Sequence, residues 1–173
     1  MEQCTSTRRI YEGKVLNLRV DEVRLENGKS GRREVVEHHG AAAIVPLLDG
    51  GEVLLVRQYR YPIGSDLLEI PAGTLNAGED PERCAVRELE EETGYKCREI
   101  TKLTECYVAP GYSTEKIHIY LARGLTKTHT NMDEDEDISL QRLSFAEALR
   151  KIRAGEIQDA KSIVGLLAAS HAL

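Results

Sequence analysis

Residues 73–95, GTLNAGEDPERCAVRELEEETGY, carry seven acidic side chains, and three of them, Glu88, Glu91 and Glu92, stand at i, i+3 and i+4. On a helix that turns about 100° per residue, these three fall within one arc, while Ala85, Val86 and Leu89 fall on an adjoining apolar one. Glu90 points away from both, toward solvent. Three carboxylates on one edge repel one another unless a cation stands between them. Their hard oxygens suit Mg2+, or Mn2+, better than softer metals. Arg87 precedes Glu91 by four residues, the spacing at which a guanidinium holds a carboxylate without replacing the metal. A run of charge is ordinarily only a solvated helix face, so the chemistry rests on spacing and not on acidity.

The helix that must carry these groups is marked at both ends. Asp80 is a suitable N-cap, Pro81 suits the first helical position and Gly94 takes the left-handed conformation that stops a helix, which predicts a helix over 81–93. Upstream, AAAIVPLL, the turn DGG and EVLLVRQY predict a hairpin, followed by the short apolar piece DLLEIP. Downstream, EKIHIYLA turns Ile117, Ile119 and Leu121 inward, and ISLQRL at 138–143 is a further strand. Ser144 and Glu147 form a capping box for a helix ending near Gly155, and Asp159 caps a last helix. Strands, a central helix, more strands and terminal helices imply an α/β chain with a mixed sheet covered by helices. Before Gly40, the alternation of Leu16, Leu18 and Val20, the turn ENGKSG and the run REVVEHH predict a small antiparallel β-hairpin with little apolar material of its own. The expected division is an arm over 1–38 and a main domain over 39–173.

Composition excludes several function classes. A chain of 173 residues that is 41% hydrophobic builds one real core. A formal net charge of -6 without a basic block argues against binding nucleic acid. Cys4, Cys84, Cys97 and Cys106 are irregularly spaced with no C-x-x-C pair, so neither a zinc knuckle nor a disulfide framework is indicated, and reduced cytoplasmic thiols are expected. The run AAAIVPLL is too short to span a bilayer, so no membrane association is expected. No G-x-S-x-G elbow or cysteine–histidine pair offers a competing nucleophile, and His118 reads as a structural strand residue.

Read at full length, the acidic segment carries Gly73, then Glu79, Arg87, Glu88, Leu89, Glu91, Glu92 and Gly94 at the spacing of the Nudix box, with Tyr95 a mild departure at the last apolar position. The chain therefore resembles the Nudix hydrolases over most of residues 40–165. That resemblance implies an α/β/α sandwich and a divalent cation, Mg2+ with Mn2+ possible, held by Glu88, Glu92 and the carbonyl of Ala72, with Glu91 close by. It implies that Gly73, Glu79, Arg87 and Gly94 brace the loop–helix–loop. Pro110, sixteen residues beyond Gly94, its context APGYSTEKIHIYLA, and the stretches VRQYR and LLEIPAG are similar to the ADP-ribose pyrophosphatase subfamily. The activity implied is hydrolysis of ADP-ribose to AMP and ribose 5-phosphate. Another nucleoside diphosphate sugar or a dinucleotide is the second reading, and a ligand sensor is the non-enzymatic one. By the same resemblance Arg60 and Arg57 contact phosphate, Pro110 and Glu115 belong to the substrate site, and Glu69 and Glu115 hold ribose or water; with no Trp and one Phe in the chain, Tyr11 and Tyr112 are the candidates to stack on adenine. The subfamily's N-terminal strands exchange across a homodimer, which suits the meagre core of the arm.

If Glu88 and Glu92 are committed to metal, a separate carboxylate must direct the attacking water. The acidic tract NMDEDED supplies Glu134 and, second, Glu136, by resemblance to the subfamily. Glu134→Gln is expected to depress kcat on ADP-ribose strongly with little change in KM, because it removes an interaction used in the transition state. Asp133→Asn and Asp137→Asn are expected to be much milder. Equal and small effects in steady-state assays of all the tract variants would move the base elsewhere.

Overall fold

Three polar, β-branched runs at the start of the chain pair as an antiparallel sheet in the order β1 (Gln3–Glu12), β2 (Asn17–Arg24), β3 (Ser30–Glu37). The structure, a computed structural model, describes residues 1–128 and 138–172. The chain divides into two compact units, one of Met1–Gly40 with Cys106–Lys116, the other of Ala41–Glu105 with the chain from Ile117 onward.

In the first unit, the sequence predicts two strands and the structure has three. Every residue of β1 is exposed, so no alternation of apolar and polar residues announces it. Its ladder to β2 and cross-strand ion pairs hold it instead. Arg19 reaches Glu37 at 2.7 Å and Asp21 at 3.2 Å, and Arg9 also pairs with Glu37. Asp21 is buried and Arg19 and Glu37 are half-buried, whereas a fully exposed pair would contribute only about 0–1 kcal/mol, and the ladders β1–β2 and β2–β3 join the three strands. Val36 of β3 donates to the carbonyl of Tyr112 at 2.8 Å and accepts from Thr114 at 2.9 Å, which ties the segment after Cys106 to this sheet.

The remaining elements are β4 (Ala41–Pro46), β5 (Glu52–Arg60), β6 (Ser65–Glu69), β7 (Ala72–Thr74), α1 (Pro81–Thr93), β8 (Tyr95–Lys96), β9 (Glu99–Tyr107), β10 (Lys116–Arg123), β11 (Thr126–Lys127), β12 (Ile138–Ser144), α2 (Phe145–Arg153) and α3 (Ala160–Ser170). A mixed sheet runs β7-β4-β10-β9, with β4 parallel to β10 and antiparallel to β7. A second, antiparallel sheet runs β12-β5-β6. Ala42 and Ile44 of β4 and Tyr120 and Ala122 of β10 form one face, packed against Cys84, Ala85 and Leu89 of α1. Val45 and Ile119 lie on the other face, against Gly165 of α3. Helix, sheet and helix thus form three layers, and the small side chains of Ala41, Ala42 and Ala43 let both helices approach the central strand.

Two sequence expectations change here. The runs predicted to pair as a hairpin, β4 and β5, belong to different sheets and share a single bridge, Leu47 with Val53. All six residues of β4 are buried, and both of its edges are taken, by β10 and β7, so no ladder remains for β5. In β10, Tyr120 and Ala122 are buried as well as the inward Ile117, Ile119 and Leu121, because helices cover both faces. Among the described residues, no helix is long and apolar enough to cross a membrane.

A glycine inside a helix ordinarily costs about 1 kcal/mol relative to alanine, and Gly165 is present for a packing reason. A Cβ there would stand 2.8 Å from Ile70 Cδ1 and 3.2 Å from Ile119 Cγ2 and Val45 Cγ2. Gly165→Val is therefore expected to destabilise the fold by about 1–3 kcal/mol through overpacking, read as a lower urea midpoint at unchanged slope. A midpoint at or above that of the parent would show that the layers separate freely.

Candidate metal site and its scaffold

Helix α1 begins where the side chain of Asp80 accepts from the backbone N–H of Glu82 at 3.0 Å and of Arg83 at 3.2 Å, with Pro81 at the first helical position. It ends at Gly94, whose φ of 69° places it in the left-handed region. Its buried stripe is Cys84, Ala85, Glu88, Leu89, Glu92 and Thr93. Two carboxylates therefore sit among apolar neighbours, Glu88 9% and Glu92 5% exposed. Glu91 borders that stripe and is only half-buried, but it stays near Glu88, since one nitrogen of Arg87 meets both. It lines an outer groove with Glu82, Arg83, Val86, Arg87 and Glu90, and Val86 is correspondingly not part of the buried face. The stripe follows the sheet beneath it, so adjacent residues one helical row apart meet different surroundings.

Arg87 bridges the two rows. Its Nη1 donates to Glu88 at 2.6 Å and to Glu91 at 2.8 Å, while Nε and Nη2 reach the two oxygens of Glu79 at 3.1 and 3.2 Å. Glu79 also accepts from the backbone N–H and side-chain amide of Asn76, at 2.9 and 3.1 Å, which closes the loop before the helix. The Arg87 hydrogen bonds hold the Glu79 carboxyl below its ordinary value, against burial and with help from Asn76. Glu79, followed by Glu88 and Glu91, pushes the Arg87 guanidinium up in turn. One cation thus fixes three carboxylates from two elements.

The strand β7 presses on the helix from the other side. A Cβ at Gly73 would stand 1.7 Å from Glu88 Oε1, so this carboxylate occupies the space that any larger residue would fill. The backbone N–H of Ala72 donates to Glu92 Oε2 at 3.3 Å. Cys84 lies nearby with Sγ 3.7 Å from the carbonyl of Gly73, and burial pushes its thiol up to about 12. It remains protonated at neutral pH and offers no thiolate ligand.

A second cluster lies at the start of this loop. Arg60, at the end of β5, donates from Nε and Nη2 to the two oxygens of Glu69 at 2.8 and 2.7 Å. Lys161 of α3 contacts the same carboxylate and also lies 3.1 Å from Asp159. Burial pushes the Glu69 carboxyl up, but Arg60 and Lys161 outweigh it, and the net direction is down. The α3 N-cap, Asp159, accepts from Ser162 N at 2.9 Å and Oγ at 2.5 Å, and Ser162 Oγ accepts from the N–H of Ile70 at 2.8 Å. The end of β6 is thereby locked to α3 just before Pro71, Ala72 and Gly73.

Other predicted residues fall in different places. The register of β5 with β6 puts Arg57 and Arg60 on opposite faces of their strand. Pro110 is exposed and Glu115 half-buried in the segment that belongs to the first unit, where Val108 N–H donates to the Glu115 carbonyl at 3.2 Å. Tyr11 and Tyr112 are exposed. Glu134 and Glu136 lie outside the described residues. Lys161 and Ser162 were not anticipated, since DAKS reads locally as a cap and a surface lysine. The Arg60–Glu69 pair has a signal in the sequence, because residues 56, 58 and 60 share a face with 65, 67 and 69 once β5 and β6 pair.

The donor set suits a hard divalent cation. Among the described residues, no three His, Cys, Asp or Glu side chains form a ready metal cluster. Glu88 and Glu92 nevertheless bring buried carboxylate oxygens one turn apart beside the backbone of Ala72 and Gly73, with no soft ligand available.

The sequence profile of the NUDIX domain matches residues 37–163, and that of the nucleoside diphosphate sugar hydrolase N-terminal domain matches residues 2–36. The chain is 40% identical over 163 residues to the ADP-ribose pyrophosphatase of Bacillus subtilis (strain 168), covering 93% of this chain and 88% of that one. It is 41% identical over 167 residues to the methanol dehydrogenase activator of Bacillus methanolicus, covering 95% and 90%. A crystal structure of an ADP compounds hydrolase superposes with a TM-score of 0.87 at 23% identity, over 98% of this chain and 92% of the other, and shares its fold.

Gly73→Ala tests the packing of β7 on the helix. It is expected to leave the far-ultraviolet spectrum unchanged while displacing Glu88, with Mn2+ affinity falling about 10–100-fold in an electron paramagnetic resonance titration. Unchanged Mn2+ affinity would separate Glu88 from the ion.

Proposed function

We propose that this chain, which belongs to the Nudix hydrolase family, cleaves the pyrophosphate bond of ADP-ribose to AMP and ribose 5-phosphate with a divalent cation, Mg2+ first and Mn2+ second. The reaction class rests on one observation, two buried carboxylates on α1 beside β7, Glu88 seated against Gly73 and bonded to Arg87, and Glu92 accepting from Ala72 N–H. The choice of substrate rests on 40% identity across 93% of the chain to a protein named ADP-ribose pyrophosphatase.

Glu88 and Glu92, with the Ala72 carbonyl, would hold the cation, which when bound neutralises diphosphate charge and lowers the pKa of a water. Arg87 keeps Glu91 oriented beside them. Arg60, bonded to Glu69 along one edge, presents the rest of its guanidinium to a diphosphate oxygen. Glu134, with Glu136 second, is the carboxylate we assign to the water, by family resemblance. Pro110 and Glu115 are assigned to the substrate side. Attack of water at phosphorus then needs alignment and charge compensation, and no protein nucleophile.

We also propose that the chain works as a homodimer through its N-terminal strands. The edge strand β1, with Ile10 and Tyr11 in it, is exposed along its whole length, and Val15 and Leu16 just after it are exposed too, a pattern that favours pairing with a second copy. A second reading comes from the equally similar methanol dehydrogenase activator. In that reading the same hydrolytic site acts in support of a dehydrogenase, and a methanol dehydrogenase assay with and without this chain separates it from simple substrate turnover.

A panel of ADP-ribose, other nucleoside diphosphate sugars and dinucleotides, assayed for products with Mg2+ saturating, is expected to favour ADP-ribose. Glu92→Gln is expected to retain the fold and lose most turnover, because it removes one charge from the metal cage without emptying core volume. Far faster cleavage of another nucleoside diphosphate sugar would overturn the substrate, and a fully active Glu92→Gln would overturn the metal role.

A further inference from the structure

Glu69 is only 1% exposed, yet two cations from different elements converge on it. Arg60 uses Nε and Nη2 for this pair, its Nη1 takes no part in it, and its side chain is 37% exposed. Lys161 meets Glu69 from the first turn of α3, at the same Oε2 that accepts from Arg60 Nη2, and is itself nearly buried. Its backbone is not free to drift, because the Ser162 hydroxyl joins Asp159 to the N–H of Ile70, the residue after Glu69. Arg60 also lies within electrostatic reach of Glu92 on α1.

We propose that Lys161 is a positioning residue for the diphosphate. It neutralises Glu69 from the α3 side, so that Glu69 orients Arg60 without cancelling its charge, and Arg60 keeps one edge for a phosphate oxygen. The charges in the cluster balance, Glu69 and Asp159 against Arg60 and Lys161. Without Lys161 the cluster carries one net negative charge where a diphosphate anion must approach. The buried carboxylate then has Arg60 as its remaining cation and draws it inward. The inference rests on Arg60 being the diphosphate contact of the proposed function.

The test compares Lys161→Met and Lys161→Arg with the parent in steady-state hydrolysis of ADP-ribose and in calorimetric binding of inorganic pyrophosphate, both with Mg2+. Lys161→Met is expected to raise KM and weaken pyrophosphate binding about tenfold, the loss of one charge-assisted contact, with a much smaller change in kcat. Lys161→Arg is expected to restore both. In a Glu69→Gln background, Lys161→Met is expected to add less than it does alone, since its partner charge is already gone. Should Lys161→Met not fold, Lys161→Gln, which keeps a donor for Glu69 without the charge, carries the same comparison. Unchanged KM and pyrophosphate affinity, even with a lowered melting temperature, would reduce Lys161 to a structural lysine and overturn the inference. A parent that binds no pyrophosphate would overturn it too. A parent that binds pyrophosphate but leaves ADP-ribose intact would refute the substrate and still let the pyrophosphate arm judge Lys161.

Discussion

Two carboxylates, Glu88 and Glu92, are buried in the stripe by which α1 packs on its sheet, and the surrounding residues are arranged to keep them there. Moving a carboxylate out of water costs several kcal/mol unless its charge is compensated. Compensation includes the guanidinium of Arg87 on Glu88 and the N–H of Ala72 on Glu92, while the bare Cα of Gly73 leaves Glu88 room. The caps at Asp80 and Gly94 then matter for more than helix content. They fix the ends of the helix, and so the rotation at which two acidic residues meet β7.

That rotation depends on a rigid platform. Strand β4 is buried throughout and paired on both edges, so neither α1 nor α3 can shift without disturbing it. Gly165 draws α3 close to Ile70, and Ser162 binds the backbone of the same residue. The loop from Glu69 to Gly73 is therefore gripped by α3 at one end and by α1 at the other. A short irregular segment gains the precision of the elements around it, as a site that aligns a phosphorus and a water requires.

Much of this was legible in the sequence where the signals are local. The ends of α1, the spacing of Glu79, Arg87, Glu88 and Glu92, and the caps at Ser144 and Asp159 depend on neighbours within a few residues, and the structure has them. Other features depend on distant partners and left no local trace. Strand β1 has no buried face, so periodicity cannot reveal it. The pairing of β4 is decided by β10, more than seventy residues away in the chain. An ideal helix wheel puts Glu91 in one arc with Glu88 and Glu92 but contains no sheet, and the sheet decides that Glu88 and Glu92 are buried while Glu91 is only half-buried. Lys161 meets Glu69 across ninety-two residues and reads from its neighbours as an ordinary surface lysine.

The balance of charge explains why a chain of net charge -6 is suited to an anionic substrate. Glu79, Glu88 and Glu91 share one guanidinium, Arg87, and Glu92 lies on the same helix, so this surface is rich in negative charge. A diphosphate brought to this helix alone would be repelled, since two unit charges 4 Å apart interact by about 4 kcal/mol at an effective dielectric of about 20. Arg60 and Lys161 are balanced by Glu69 and Asp159, so that cluster adds no net positive charge to reverse the field. In the proposed reaction divalent cations stand between these carboxylates and the phosphates, and the same negative charge that repels a bare diphosphate attracts those cations. On the proposed function, acidity in this chain works as a filter, admitting the anion with its metal and not without it.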